Sequence, residues 1–600
     1  MMGLLQKACE TYDYHKSLVG VIQSDCDPLA PISHSITAAQ IEITINDCGE
    51  FVQAVGIDKK APKTIIPVTE DSGGRTSAPC AHPLCDSISY VAPYDENRHR
   101  LYVEALTEWA ESDFSHPILR PILTYVSKGT VLDDLSRAGL LKTEDGEIKN
   151  EKDLIRWRVI GIGSCWDDPA LFDAFIRFYE NKQKSGNTSV CMISGDTEAS
   201  ARQHPKGIIP INGNAKLISA NDKANFTYLG RLTDEMQTAS VGYIASQKAH
   251  NALRWLASRQ WKETTFDKRT ILCWNPKGKP TPQVHKPFPS KNQEKAVTPT
   301  AYQDMLRKVL QSYRSADILP DDEDVCVAVF DAATKGRLAL VYYSEWKAYD
   351  FLKRLAFWDE TCLWYHFDFE TRSYFMQSPD LPDIVRCAFG TERTSKGKSR
   401  LEADDKIMSQ QILRLLECRI NQGKMPLDMM RAVTQKASNP LAFDKCRNKV
   451  LETACAVIWK YKTDQGERWE MSLEKDKKDR SYQFGRLLAV MEKAERDTYD
   501  EKENREPNAI RLQSTFCQRP FATAKIIIEQ LKRGYYQKLK PDARTVYEKY
   551  IGEIFEIVSD FSDEERNRPL TESYLLGYYL QKKELYTSHK ENAKTEDKEV

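Results

Sequence analysis

The order of apolar and polar positions predicts a first part that mixes strands with helices. Gln40–Ile45 has isoleucine at every second position, which predicts a half-buried strand. Val325–Phe330 and Arg337–Tyr343 are strand-like runs separated by a glycine turn, so together they predict a β-hairpin. Further strands are predicted at Trp157–Gly161, Thr188–Ile193 and Ile271–Trp274, and helices at His99–Trp109, Ile118–Val126, Leu132–Leu141, Pro169–Lys182 and Glu345–Phe357.

Beyond Pro379 the apolar spacing is that of helices. Phe484, Leu487, Leu488 and Met491 follow the i, i+3, i+4, i+7 pattern of a buried helix face. Other helices are predicted at Asp380–Phe389, Ser409–Ile420, Pro426–Lys436, Arg447–Lys460 and Tyr574–Tyr586. The predicted fold class is therefore multidomain α+β, with a mixed N-terminal and central α/β body followed by an all-α C-terminal helical bundle.

Three domains are predicted from these patterns, because 600 residues exceed what one core usually holds. They are an α+β body at 1–375, a helical connecting region at 376–478 and a helical bundle at 479–600. Residues 275–300 are predicted to be a linker, since five prolines and interspersed lysines within 275–289 do not favour a core. The basic stretch Glu392–Arg400 is predicted to be an exposed loop.

Composition narrows the class of protein without naming a partner. The formal net charge is -1, so only local charge clusters argue for nucleic acid. Fifteen cysteines without a framework indicate a reducing, cytoplasmic location. The sequence has no run of eighteen apolar residues, so no membrane span is predicted. Cys80 and Cys85, with His82 between them, are the best metal candidates. Simple burial explains them better, and we predict no metal site and no cofactor.

The stretch from Ala201 to Lys262 departs most from this neutral background. A polar, glycine-bearing segment at His204–Gly230 precedes an amphipathic helix that we expect to begin near Ala239. On a helical wheel, the side predicted to be buried carries Val241, Ala245, Ala249, Ala252, Leu253 and Leu256. The side predicted to face solvent carries Ser240, Tyr243, Gln247, Asn251, Arg254 and Ser258.

Local charge and side-chain chemistry favour nucleic acid at this stretch. From Arg202 to Arg269 there are eleven lysines and arginines against five acidic residues. Amide and guanidinium groups match base edges and phosphates, and Asn212–Lys216 is predicted to form a tight turn. The alternative is a solvated helix face beside an ordinary surface loop.

Several longer motifs resemble one known family. The most specific are His204-Pro-Lys-Gly207 and the helix Ser240-Val-Gly-Tyr-Ile-Ala-Ser-Gln-Lys-Ala-His-Asn-Ala-Leu-Arg-Trp255. The similarity continues through Cys191-Met-Ile-Ser-Gly195, Asp331-Ala-Ala-Thr-Lys-Gly-Arg337, Ser438-Asn-Pro440, Tyr482-Gln-Phe-Gly-Arg-Leu-Leu-Ala489 and Gln518-Arg-Pro-Phe521. These residues resemble the large subunit of the type I-C CRISPR surveillance complex (Cascade), of the Csd type, over nearly the whole chain.

The resemblance implies a non-catalytic DNA-binding subunit of an RNA-guided antiviral complex in the cytoplasm of a prokaryote. Such a subunit recognises the protospacer-adjacent motif (PAM) in double-stranded DNA, helps to open the duplex, stabilises the R-loop and supports recruitment of the helicase-nuclease. The implied partners are the backbone that carries the guide crRNA, the subunits that cap its 5'-handle, small subunits, target DNA and the helicase-nuclease.

The resemblance and the local chemistry together select candidate DNA contacts. We expect Asn212, Gly213, Asn214 and Lys216 to form the reading turn or wedge, although the family's loop is richer in Ser and Gln. The candidate phosphate or groove contacts are Lys206, Gln247, Lys248, Asn251 and Arg254.

The helical C-terminus resembles the small subunit of related complexes. In this family an internal start commonly yields a separate copy of that bundle, and Met471 precedes the first bundle helix. We therefore predict a product of 130 residues, spanning 471–600. Arg486, Arg511 and Arg519 are candidate contacts to the displaced strand, the alternative being arginines that pack their stems on the surface.

Common catalytic motifs are absent from the sequence. It contains no phosphate-binding GxxxxGK[ST] loop, no HExxH and no GxSxG, so we predict no enzyme. Asp167 and Asp168 are explained by a helix start, and Asp321–Asp324 by a surface turn. Two alternatives stay open: a metal-dependent nuclease whose acidic residues meet only in space, and a scaffold that binds guide RNA or neighbouring subunits.

Overall fold

The computed structural model describes most of the chain. The described residues are 2–23, 26–75, 78–145, 147–184, 186, 188–218, 240–288, 295–314, 318–500, 503 and 505–596, without the side chains of residues 2 and 588–596. The chain forms two compact units: Met1–Thr281 with Glu323–Trp346, and Pro282–Asp322 with Lys347–Val600. Residues 347–375 thus belong to the second, more helical unit. The sequence pattern predicted instead that they belong to the α+β body at 1–375. The finer three-part division stays a prediction.

A four-stranded sheet organises the N-terminal part of the first unit. Its strands lie in the order Phe51–Gly56, Ile41–Ile45, Ile155–Val159, Gly163–Ser164, and the central pair is parallel. The predicted strand in Gln40–Ile45 is confirmed, but the prediction that it is half-buried is wrong, because Glu42 and Thr44 are buried as well as the three isoleucines. The helices of this part are Glu70–Gly74, Ile88–Val91, Glu96–Ala110, Leu119–Ser127, Val131–Arg137 and Pro169–Gln183.

A second four-stranded sheet supports the candidate site. Its order is Thr265–Phe266, Arg269–Trp274, Asp324–Thr334, Arg337–Lys347, which confirms the predicted hairpin. Apolar residues of this sheet share one core with helices Met2–Tyr14 and Tyr243–Thr264. Three small sheets complete the strands of the first unit: His34–Thr37 with Thr64–Pro67, Thr143–Glu144 with Glu147–Ile148, and Thr188–Val190 with Thr197–Ala199.

The second unit is mainly helical and carries two β-hairpins. The hairpins are Trp364–Asp368 with Ser373–Gln377 and Thr391–Ser395 with Lys398–Glu402. The helices outside the bundle are Pro299–Arg314, Ala348–Thr361, Leu381–Phe389, Asp405–Asn421, Leu427–Ala437 and Arg447–Asp464. The bundle helices are Arg480–Arg496, Asn508–Arg511, Gln513–Gln518, Pro520–Gly534, Pro541–Ser559, Asp563–Arg566 and Ser573–Glu596.

Two glycines let the main bundle helices touch backbone to backbone. A Cβ at Gly485 would overlap the Tyr574 carbonyl oxygen, and a Cβ at Gly577 would overlap that of Tyr482. Every residue from Ser481 to Glu495 is buried. The helix Arg480–Arg496 is therefore the centre of this bundle.

Two sequence predictions about loops are wrong, one of them only in part. Glu392–Arg400 is not a loop but most of a paired hairpin. The linker prediction is wrong in part, because Val284, His285 and Phe288 are buried, although Lys277 and Pro280 are exposed. Arg419 donates hydrogen bonds to the carbonyls of this segment, which gives the backbone its partners without regular structure. Residues 289–294 lie outside the described residues.

Other predictions differ only at their ends. The helix expected at Leu132–Leu141 ends at Arg137, before Gly139 with its positive φ of 70°. The helix expected from Glu345 begins at Ala348, because the preceding strand continues to Lys347. Asp168 caps the helix Pro169–Gln183 by accepting from the Ala170 amide at 3.0 Å, which confirms the helix-start interpretation.

Within the described residues, no helix is both long and apolar enough to cross a membrane.

Candidate nucleic-acid interface

A polar cleft of about 500 Å³ opens in the first unit between the helix Tyr243–Thr264 and the segment before it. We call the segment His204–Lys216 the recognition loop and the helix Tyr243–Thr264 the cleft helix. The cleft is lined by strand His34–Thr37, residues 69, 70 and 72–75, residues 204–210 and 213 of the recognition loop, and the cleft-helix residues Gln247, Asn251, Arg254 and Ser258. Lys206, Gly213, Gln247, Asn251 and Arg254 of the predicted set are thus brought together. Asn212, Asn214 and Lys216 of the predicted set do not line it.

Backbone hydrogen bonds close the recognition loop into a tight turn. The Gly207 amide donates to the Ala215 carbonyl at 3.1 Å, and the Ala215 amide donates to the Asn212 carbonyl at 2.7 Å. Asn212 has φ of 50°, a left-handed conformation that Asn tolerates better than most residues. Its side chain donates to the Ala332 carbonyl at 2.6 Å, so it shapes the turn. Gly213 and Asn214 remain exposed at the tip.

Lys206 is crowded by other cations. Burial, followed by the charges of Lys216, Arg75 and Arg254, lowers the pKa of its ammonium group below the ordinary value. Its Nζ donates to the Arg75 carbonyl oxygen at 3.3 Å. Among the described residues no carboxylate forms an ion pair with Lys206. An anion bound here would meet a half-buried, uncompensated cation.

Lys216, at the other end of the recognition loop, is also half-buried. Its Nζ donates to Gln203 Oε1 at 3.2 Å, and Gln203 lines the cleft. Burial lowers the pKa of Lys216, while the nearby Glu70 charge acts in the opposite direction. The two lysines that frame the loop therefore both lack a direct ion pair within the described part of the chain.

Arg254 holds the recognition loop against the cleft helix. Its guanidinium donates to the carbonyls of Gly207, at 3.1 Å, and Lys206. A longer contact of 3.5 Å reaches Ser35 Oγ. Burial lowers the pKa of Arg254, and Asp27 provides distant compensation. Arg254 thus positions the loop backbone in addition to contributing positive charge.

The polar face of the cleft helix is less exposed than the wheel suggested. Tyr243 and Asn251 are buried, so the prediction that they face solvent is wrong. Asn251 Nδ2 donates to the carbonyls of Ala30 and Pro31, both at 3.2 Å. The helix packs against other elements on both sides, and Asn251 therefore satisfies backbone acceptors rather than reaching a ligand.

Gln247 and Lys248 meet different surroundings on the same helix. Gln247 lines the cleft but is only 6% exposed, so the prediction that it faces solvent is wrong as well. Lys248 does not line it, and its Nζ forms an ion pair with Asp13 at 2.9 Å. Lys248 is therefore better explained by the packing of the cleft helix against Met2–Tyr14.

Histidines around the cleft are neutral at pH 7. Burial lowers the pKa of His34, His82 and His250 to about 4, and that of His204 to about 3. His204 Nδ1 lies 2.7 Å from Ser246 Oγ, and its ring stacks on His250 at 5.7 Å. The positive charge of the cleft at neutral pH therefore comes from lysine and arginine.

The acidic residues Glu70 and Asp27 near the cleft already have hydrogen-bond or ion-pair partners within the protein. Glu70 accepts from the backbone amides of Arg202 and Gln203 at 2.8 and 3.2 Å, and burial raises the pKa of its carboxyl. Asp27 pairs with Lys63 at 2.7 Å. Neither carboxylate forms an ion pair with Lys206.

Sequence reasoning missed a second element beside the recognition loop. The Lys216 amide donates to the Gly336 carbonyl at 3.0 Å, and the Leu338 amide donates to the Lys216 carbonyl at 2.9 Å. The exposed turn Lys335-Gly336 of the hairpin therefore abuts the loop. The glycine-turn motif predicted the hairpin, but no sequence signal indicated its neighbour.

The candidate residues of the bundle separate into two groups. Arg486 is 1% exposed and donates to Gln581, Gln483 and the Lys475 carbonyl, so the prediction that it contacts a displaced strand is wrong. Arg511 and Arg519 are exposed. Met471 is buried and lies before the helix that begins at Arg480.

The residues considered for metal binding or catalysis do not gather in the described part of the chain. There, no group of three or more His, Cys, Asp or Glu side chains is arranged to hold a metal ion. Cys85 Sγ lies 3.3 Å from Cys165 Sγ, so it packs with a residue outside the Cys80-x4-Cys85 motif. Asp321 contacts Arg314 at 3.3 Å.

Comparison with known proteins identifies the family. No curated protein matches this chain. The family model described as CRISPR-associated protein (Cas_Csd1) matches residues 12–586, and this match covers almost all of both units. The chain therefore belongs to the Cas_Csd1 family of CRISPR-associated proteins.

Proposed function

We propose that this chain is the large subunit of an RNA-guided type I-C surveillance complex and that its cleft contacts the PAM of double-stranded target DNA. The observation that carries the proposal is the pair of half-buried lysines, Lys206 and Lys216, at the two ends of one exposed turn, neither of which forms an ion pair within the described residues. Phosphate contacts of this kind supply affinity and fix the register of a protein on DNA.

The exposed turns next to these lysines supply the rest of the proposed interface. Gly213 and Asn214 project from the recognition loop, and Lys335 lies at the neighbouring hairpin turn. Asn can form paired hydrogen bonds with a base edge, and a backbone turn can approach the duplex closely. We assign Asn214 to base reading and the two turns to opening the duplex, with Asn212 and Arg254 as positioning residues.

Sequence specificity over the target belongs to the guide RNA in this proposal. The protein needs only a short flanking contact, after which base pairing extends the R-loop. Exposed Arg511 and Arg519 are proposed to stabilise the displaced strand. Cleavage is assigned to the recruited helicase-nuclease.

The decisive experiment measures binding by the assembled complex to target duplexes that differ only in the flanking motif. Lys206→Gln with Lys216→Gln should weaken affinity for every flank to a similar degree, about tenfold for two lost phosphate contacts, and should flatten the salt dependence. Asn214→Ala should instead reduce the preference among flanks. Lys262→Gln, which changes an exposed lysine of the cleft helix that does not line the cleft, is the control.

Unchanged affinity in the double-lysine variant would refute the DNA contact while leaving family membership intact. Binding of guide RNA alone, with no response to the flank, would favour the scaffold alternative. Metal-dependent cleavage by the purified chain, lost in Asp321→Asn or Asp167→Asn, would favour a nuclease.

The bundle is proposed to be made also as a separate small subunit from an internal start at Met471. Met471→Leu should abolish a short C-terminal product of 130 residues while leaving the full chain intact. Met491→Leu is the control, because a start at Met491 would cut the helix Arg480–Arg496. Absence of the short product from the unmodified gene would refute this part of the proposal.

A further inference from the structure

A basic β-hairpin in the second unit has no role in the interface described above. Its strands Thr391–Ser395 and Lys398–Glu402 are antiparallel and joined by the two-residue turn Lys396-Gly397. Both turn residues have positive φ, 49° and 75°, as a type I′ turn requires. We call Thr391–Glu402 the basic hairpin.

The strand register sorts the side chains onto two faces. Arg393 lies opposite Arg400, and Ser395 opposite Lys398, so these residues share one face. Glu392 and Leu401 form a pair on the other face. Leu401 is buried, whereas Arg393, Lys398 and Arg400 are exposed. Since alternate residues of a strand point to opposite sides, the outer face of the hairpin is basic.

The inner side of the hairpin is anchored to the rest of the second unit. The Glu392 carboxylate accepts from the backbone amides of Asp444 and Lys445 at 2.7 and 3.1 Å. Lys436 Nζ donates to the Gly390 carbonyl at 3.0 Å, next to the base of the hairpin. A hairpin fixed in this way presents its outer face with little conformational freedom to lose on binding.

The cations on the outer face and at the turn are locally unfavourable for the stability of the hairpin. Arg393 and Arg400 are a directly opposed like-charge pair, which destabilises a strand pair. Lys396 occupies a left-handed turn position that Asn or Gly adopts more easily. Arg400 pairs with Glu402 at 2.6 Å, but no carboxylate among the described residues pairs with Arg393, Lys396 or Lys398. Costs of this kind are offset when an anion binds the cations.

We propose that the basic hairpin binds the phosphodiester backbone of a nucleic acid, at a site separate from the cleft. Arg and Lys are the usual phosphate ligands, and the outer face carries three of them with a fourth at the turn. The other outer residues are Thr391, Ser395 and Glu402, so the face offers no aromatic ring for stacking on bases. Binding there is therefore independent of base sequence.

The test compares two charge-matched double variants of the full chain. Arg393→Gln with Lys398→Gln removes two outer cations, and Lys308→Gln with Lys538→Gln removes two exposed lysines elsewhere in the second unit. Fluorescence anisotropy is measured with single-stranded DNA, single-stranded RNA and duplex DNA of one sequence over a range of salt concentrations.

The hairpin variant should lose about fivefold in affinity for at least one of these probes, and that probe identifies the nucleic acid bound. The slope of log K against log salt should fall by about 1.4 on a single strand or about 1.8 on a duplex, as expected for two lost phosphate contacts. Equality with the control variant on all three probes would overturn the proposal. Loss of binding to another protein subunit, with all three probes unaffected, would also overturn it.

Two further measurements show that an effect of the hairpin variant comes from the hairpin itself. The melting temperature excludes misfolding, and the preference among flanking motifs excludes an effect on the cleft. The hairpin variant should melt at the same temperature as the unmodified chain or higher, because the Arg393–Arg400 repulsion is removed. Lys396→Asn should also weaken probe binding without lowering the melting temperature. Neither change should alter PAM preference in the assembled complex, so failure at the hairpin and failure at the cleft are distinguishable.

Discussion

The cleft of the first unit and the bundle of the second unit both bury charged groups, but they compensate them differently. In the bundle, Glu492 is 1% exposed, accepts from Tyr578 and Lys582, and pairs with Arg496 at 2.9 Å. Lys206 and Lys216 at the two ends of the recognition loop donate to neutral oxygens, and neither forms an ion pair within the described residues. The bundle charges are compensated within the fold, whereas the proposed DNA contact would supply the missing anionic partners of Lys206 and Lys216.

The two regions also differ in the pKa shifts of their buried groups. Burial favours the neutral acid at Glu492, but Lys582 and Arg496 outweigh it and lower the pKa to about 2. The cleft histidines are held neutral by burial, with pKa values of about 3 to 4. Four predictions test the comparison, from the largest expected effect to the smallest.

Acidification should destabilise the first unit before the bundle. Each buried histidine has a folded-state pKa below the ordinary 6.5, so its stabilising contribution is complete above pH 6.5 and is lost as the pH falls toward 3 to 4. At pH 5 the loss is about 2 kcal/mol for each histidine. Glu492, with its lowered pKa, loses its contribution only below pH 4.5.

Hydrogen exchange resolved by peptide, corrected for intrinsic rates, measures this difference. Peptides of the cleft helix should open at pH 5 while those of Arg480–Arg496 stay protected. Earlier opening of the bundle would contradict the assignment of neutral buried histidines to the first unit.

Glu492→Gln should destabilise the bundle by about 3 kcal/mol, because it leaves Lys582 and Arg496 without their buried partner. Denaturant unfolding followed by tryptophan fluorescence measures the change. Glu529→Gln, which removes an exposed carboxylate paired with Arg533, should change stability by less than about 0.5 kcal/mol. A similar small effect at Glu492 would show that the bundle charges are not coupled.

Gly485→Ala should cost about 2 kcal/mol, because the added methyl group would overlap the Tyr574 carbonyl and force the two helices apart. Gly552→Ala is the matched control: nothing lies within 4 Å of its Cβ position, and alanine favours a helix. The control should be neutral or slightly stabilising. Equal melting temperatures for the two variants would contradict the close helix contact.

Lys206→Gln should have the smallest effect on stability and the opposite sign. Removing the cation relieves repulsion from Lys216, Arg75 and Arg254, so the free energy of unfolding should rise by up to about 0.5 kcal/mol while DNA affinity falls. Thermal melting of the free protein measures the first quantity. A loss of stability would assign Lys206 to the fold instead of to a ligand.

The spacing of apolar residues predicted the positions of helices and strands better than it predicted the contacts of individual side chains. The alternating isoleucines at 41–45 and the capped helix at Pro169 were identified because local sequence determines them. Arg486 was misplaced because its partners Gln581 and Lys475 are distant in sequence or irregular in structure. A helical wheel also assumes one packed face, and the cleft helix has neighbours on two sides.

Only the part of the candidate site that is formed by residues close in sequence was predicted. Motif and charge predicted that Lys206, Lys216 and Arg254 lie close together, since the recognition loop and the cleft helix are close in sequence. The contribution of Arg75 and of the Lys335-Gly336 turn depends on long-range packing, which no local pattern encodes. The basic hairpin was missed because Leu401 is the only buried apolar residue in it.

Photo-crosslinking from position 214 tests the central claim most directly. Asn214 is replaced by a benzophenone amino acid in the assembled complex bound to target DNA, and the same replacement at Lys262 serves as the control. The proposed interface predicts crosslinks to the flanking duplex from position 214 and none from position 262. Crosslinks from position 214 to guide RNA, or to no nucleic acid, would contradict it.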